Sequence, residues 1–167
     1  MKPVILAAAL SGLASTAGAQ TAPSPTPAQA SAPLRAYGEP IRLETAQALL
    51  TAALQAARDA DLLMAIAVVE PSGELVAFAR MDDVQYVSLT LAQDKARSSA
   101  RFRQATMTQQ ERVMDGRIVL LGTAEALPLG GGVPIVVEGR VIGAIGVSGG
   151  SAAQDHEIAE IAIATLP

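Results

Sequence analysis

The chain has no cysteine and no tryptophan, and only two phenylalanines, two tyrosines and one histidine. The missing cysteine excludes disulfides, thiolate-bound metal and a lipid-anchored precursor, for which a cysteine would have to stand where Gln20 does. It also rules out covalent haem attachment through C-x-x-C-H. With so few aromatics in a chain that is 50% hydrophobic, the core has to be aliphatic. Basic runs interleaved with aromatics are absent as well, and the formal charge of −4 is the wrong sign for a phosphate backbone. Nucleic acid is therefore not an expected partner.

One histidine is too few for a zinc or non-haem iron site without carboxylates or a second subunit. Long apolar runs are missing too. The stretch Val4 to Leu13 falls short of the roughly 18 residues that span a bilayer, so no stable membrane anchor is expected. Preceded by Lys2 and followed by Ala17, Gly18 and Ala19, it reads as a cleaved export signal over 1–19. A periplasmic or secreted location follows as an expectation. Residues 20–33, QTAPSPTPAQASAP, are a Pro, Ala, Ser and Thr tract too poor in bulky apolar groups to fold, and read as a flexible leader. Residues 34–167 are the size of one domain.

Within that domain, Ala46, Leu49, Leu50, Ala53, Leu54 and Ala57 recur at helical spacing and predict a helix over Leu43 to Arg58. Met64 to Val69, the turn Glu70 to Gly73, and Glu74 to Arg80 predict a hairpin. A second helix is expected over Ser88 to Gln104, then a loop or short irregular helix over Thr106 to Arg117. Val133 to Val137, the Glu138–Gly139 turn and Arg140 to Val147 make a second hairpin. A last helix runs to Ala164, its start marked by the capping box of Ser151 and Gln154. Short turns force antiparallel pairing. The fold class is thus α+β: a single domain with an antiparallel sheet built from two hairpins, covered by helices because its strands are apolar on both faces.

Lys95 is the only lysine beyond the export signal. At about 100° per residue, Ser88, Leu91, Ala92, Ser98, Ser99 and Phe102 share its side of the second helix, whereas Asp94, Arg97 and Arg101 point elsewhere. An inward lysine is unusual. It either lines a pocket and holds a ligand carboxylate, or pairs with a buried acid. Asp155 is the candidate partner, on the apolar side of the last helix, although an acid in a first turn also suits the helix dipole.

Gly130 to Gly132 and Gly149 to Gly150 let backbone approach a ligand, and the second pair opens a helix whose first N–H groups attract anions. Gly131, Gly132, Gly149, Gly150 and Ser151 are candidate ligand-binding residues on this ground; sharp turns alone would also explain the glycines. Gly146 to Gly150 spells G-x-S-x-G around Ser148, but His156 lies only two turns down the next helix, and the chain is too short for a serine-hydrolase fold. His156 is expected to face outward, with haem ligation or a subunit contact as its alternatives. Met81 could serve as a soft haem ligand, or simply pack.

Three segments together resemble the GlcG/HbpS haem-binding family, also called haem-degrading: AIAVVEPSGELVAFARMDD at 65–83, AQDKARSSARF at 92–102 and LGGGVPIVVEGRVIGAIGVSGGSAAQD at 129–155. The resemblance implies a small antiparallel sheet flanked by helices, homo-oligomeric assembly, and haem or a related tetrapyrrole as ligand. Its motif positions fall here on Met81, Asp82, Lys95, Gly131, Gly132, Gly149, Gly150 and Asp155. His156 departs from the pattern, standing where similar sequences more often carry an acid. The expected function is an exported haem- or tetrapyrrole-binding protein for haem capture, sensing or turnover. The alternatives are a small enzyme using Lys95 and Asp155 as a coupled acid and base on a carboxylated metabolite, and a structural oligomerisation module.

Overall fold

Small side chains decide how the layers meet. In the computed structural model, which describes residues 34–167, strand β1 (Ala65–Val69) presents Ala65, Ala67 and Val69 to one face of the sheet and Ile66 and Val68 to the other. All five are buried, so both faces require cover. The first face is closed by helix α2 (Tyr86–Phe102) through Ala92, Ala96 and Ala100. The second is closed by α1 (Leu43–Asp59) and α4 (Ala152–Ile163), with Leu49, Ala53, Ile158 and Ala159 packed on Ile66, Val68, Ile145 and Val147. Each fully buried Leu, Ile or Val contributes about 1.5–3 kcal/mol.

The sheet is antiparallel throughout, in the order β2-β1-β4-β3, with β2 at Leu75–Arg80, β3 at Gly132–Val137 and β4 at Arg140–Ser148. Pro134 cannot donate to a ladder and lies, as it must, on an edge strand. Glu138 and Gly139 both have positive φ, 50° and 74°, the geometry a two-residue hairpin turn demands. Gly146 and Gly132 let α2 settle directly on the strands: a Cβ at 146 would lie 2.0 Å from the Ala92 carbonyl oxygen, and one at 132 would lie 2.3 Å from that of Lys95.

Both predicted hairpins and all three predicted helices form, and the Ser151–Gln154 capping box is present. The polar stretch after α2 is more regular than a loop: Thr106–Met114 is helix α3, followed by a 3-10 turn at Ile118–Gly122. Its buried positions are Thr106 and Gln109, so no apolar stripe announces it. The export signal over 1–19 and the leader over 20–33 lie outside the described residues. No helix among the described residues is long and apolar enough to cross a membrane.

Candidate functional site

The site lies where α2, the Gly130 to Gly132 turn and the β4–α4 junction meet. Lys95 sits on the sheet-facing stripe of α2 with Ser88, Ala92, Ser98 and Ser99, as the helical spacing predicts, and is 1% exposed. Its Nζ lies 2.6 Å from Asp155 Oδ2 and donates to the Val147 carbonyl oxygen at 3.0 Å. These are two of the three hydrogen bonds an ammonium can donate. Asp155, 2% exposed, accepts from the Gly150 amide through Oδ1 at 2.9 Å. Of the two readings of Lys95, pairing with a buried acid is realised.

The Gly150 amide, offered by sequence to a ligand anion, is therefore taken by the chain's own carboxylate. Ser151 is likewise committed: its hydroxyl caps the Gln154 amide, and the Gln154 side chain accepts from the Ser151 amide. Gly131 closes over the pair with φ +123°. A Cβ there would lie 2.9 Å from Lys95 Nζ and 2.8 Å from Asp155 Cβ, so glycine is required.

Burial lowers the Lys95 pKa from its ordinary 10.5, against the opposing pull of Asp155. Burial also raises that of Asp155 from 3.8, opposed by Lys95 and by the amides of Gly150 and Gly149. Burial thus acts on both groups toward their uncharged forms.

Beside the pair is a cavity of about 110 Å³, lined by Lys95, Asp155, Gly149 and Gly150, by Val87, Leu91, Leu129 and Ala152, and by Gln85, Ser88 and Ser148. Ser88 and Ser148 are each 3% exposed, and among the described residues neither hydroxyl is engaged in a side-chain hydrogen bond. Spacing alone places Ser88 on the Lys95 stripe, but nothing in sequence marks Ser148 as facing the same space.

A second set of residues invisible to periodicity fastens the glycine turn. Thr106 Oγ1 accepts from the Gly132 amide at 2.8 Å and Gln110 Oε1 from the Gly130 amide at 2.9 Å. Ser98 Oγ accepts from Leu127 N at 3.0 Å and donates to buried Gln109.

His156 corrects its expected orientation. Only 20% of its side chain is exposed, and its Nε2 lies 3.3 Å from Glu160 Oε1. Helices α3 and α4 are in contact, so the outer side of α4 is not wholly open to solvent. Ile161, in contrast, is exposed, and the buried face of α4 is Asp155, Ile158, Ala159 and Ala162. Met81 packs against the core, and its sulfur accepts from the Met64 amide at 3.4 Å. Among the described residues no three His, Asp or Glu side chains converge to hold a metal ion.

Residues 41–164 match the protein family described as "Haem degrading protein HbpS-like". The chain is similar to Protein GlcG of Escherichia coli strain K12, with 38% identity over 105 residues, 63% of this chain and 78% of that protein. Among solved structures it is similar to HbpS, with TM-score 0.72 and 26% identity, covering 78% of this chain and 92% of that one. It is also similar to a PduOC–haem complex, with TM-score 0.69 and 29% identity over 76% of this chain and 95% of that one.

Proposed function

This chain belongs to the HbpS-like family, and from that premise we propose that it is an exported protein that binds haem or a related tetrapyrrole. The observation that carries the reading is the similarity to the PduOC–haem complex over 95% of that chain, together with the likeness to HbpS. Export is supported by the order of Lys2, the apolar run and the small residues before Gln20. Capture of extracellular haem, or its sensing or turnover, is the role such a location suits.

The residues present fit one part of the ligand closely. Pockets that enclose a drug-sized molecule measure about 300–1,000 Å³, so a cavity of about 110 Å³ admits a propionate and leaves the macrocycle outside. Lys95, Ser88 and Ser148 would meet the carboxylate, and Val87, Leu91 and Leu129 offer the ring an apolar rim. Val87 is 56% exposed. Met81 is engaged with the Met64 amide and His156 lies outside the cavity lining, so neither is assigned to the iron. When bound, haem would supply an iron centre for redox or ligand chemistry; the chain's own residues hold the carboxylate and shield one ring edge from water.

The test is a haem titration of the full chain beside Val87→Glu, a change at an exposed position that sets a like charge against a propionate. Saturable binding weakened at least about tenfold, ~1.4 kcal/mol, by the substitution supports this reading. Binding that Val87→Glu leaves untouched removes the cavity rim from it. Export is tested separately, by N-terminal sequencing of protein recovered from outside the cytoplasm. A chain beginning at Gln20 is expected; an intact Met1 in the cytoplasm contradicts it.

A further inference from the structure

Lys95 combines three features of its surroundings. It is buried yet lines a cavity, it has an acid 2.6 Å away, and the two hydroxyls that line the same cavity, those of Ser88 and Ser148, make no side-chain hydrogen bond. At about 30 Å³ per water, 110 Å³ holds about four waters, the volume of a molecule of some three to six heavy atoms. Gly131 packs over the pair without a side chain to displace Nζ, since a Cβ there would lie 2.9 Å from it, and the approach to the amine is from the cavity side.

We propose that Lys95 condenses reversibly with a short-chain carbonyl compound, an aldehyde or 2-oxo acid, with Asp155 as proton carrier. The Lys95 ammonium first passes a proton to the Asp155 carboxylate, leaving a neutral amine and a carboxylic acid. The nitrogen lone pair then forms a bond to the carbonyl carbon. The displaced C=O electron pair moves to oxygen, which takes the proton from Asp155. The nitrogen next returns a proton to Asp155, giving a neutral carbinolamine. Asp155 finally protonates the hydroxyl, the C–O bond breaks, water leaves, and the nitrogen lone pair completes a C=N bond. The products are an iminium on Lys95, an Asp155 carboxylate and one water; nothing is oxidised or reduced. Ser88 and Ser148 are placed to donate to the carbonyl oxygen or to a 2-oxo acid's carboxylate. Desolvation of Lys95 favours the neutral amine that the first step needs.

In the full chain with its export signal retained, Lys2 and Lys95 are the only lysines, so Lys2 serves as the reference. The full chain is incubated with pyruvate or acetaldehyde at neutral pH, treated with borohydride to reduce any imine to a stable secondary amine, and mapped by peptide mass spectrometry. Either probe is expected to label Lys95 at least about tenfold faster than Lys2, and Asp155→Asn to slow Lys95 by at least about tenfold without changing Lys2. Label on Lys2 with Lys95 unmodified, or modified only after urea is added, overturns the proposal. Trapping reads the amine of Lys95 alone, so a failed haem titration has no bearing on whether the imine forms.

Discussion

An ammonium and a carboxylate held 2.6 Å apart, with 1% and 3% of their side chains exposed, stabilise a fold only as a pair. Removing Lys95 alone strands Asp155 as a buried, uncompensated charge. Lys95→Met is therefore expected to destabilise by about 3–5 kcal/mol, whereas Lys95→Met with Asp155→Leu should recover most of that loss. Urea unfolding of the two single variants and the double measures this directly. The pair also sets a pH signature. Between the ordinary Asp range and the raised Asp155 pKa, the folded chain binds more protons than the unfolded one, so stability falls as pH rises. Between the lowered Lys95 pKa and 10.5 the unfolded chain binds more, so stability rises with pH. Measured against the double variant by urea midpoints, the natural chain should lose stability through the first window and regain it through the second. That Lys95 points inward is legible in its small neighbours at helical spacing. Its partner is less so: Asp155 lies 60 positions away and reads equally well as a helix-start acid.

Elements announce themselves when their apolar residues keep time. The β1–β2 and β3–β4 hairpins, α1 and α2 all do, and the α4 start carries its own polar signature in Ser151 and Gln154. Helix α3 does not, because what it buries is Thr106 and Gln109, and its task is to bond the glycine turn rather than to fill the core. Thr106→Val should leave the buried Gly132 amide without its acceptor, cost about 1–3 kcal/mol, and speed hydrogen exchange at Gly130 to Gly132. Where α2 rests on β4 there is no slack. Gly146→Ala places a methyl 2.0 Å from the Ala92 carbonyl oxygen, and is expected to cost about 1–3 kcal/mol or more by thermal unfolding.

At the scale of the whole molecule, the sheet is covered on both faces, while Met114, Ile118, Val119 and Leu121 stand exposed between 59% and 82% along one short segment. We propose it as the seat of the homo-oligomeric contact that the family resemblance implies. Val119→Glu with Leu121→Glu should shift the chain to a smaller species in analytical ultracentrifugation without lowering its unfolding midpoint. The layer order was predictable because β1 is apolar on both sides. The cavity was not, since its wall is assembled from three separate stretches, around Ser88, at Leu129 and from Ser148 to Asp155. Haem binding is the central claim for this molecule, and equilibrium titration of haem into the full chain, followed by the Soret band, tests it most directly. A saturable transition at about 1 µM, ~−8 kcal/mol, with one haem per chain is the predicted result; a linear, unsaturated response identical to that of an unrelated protein of similar charge would contradict it.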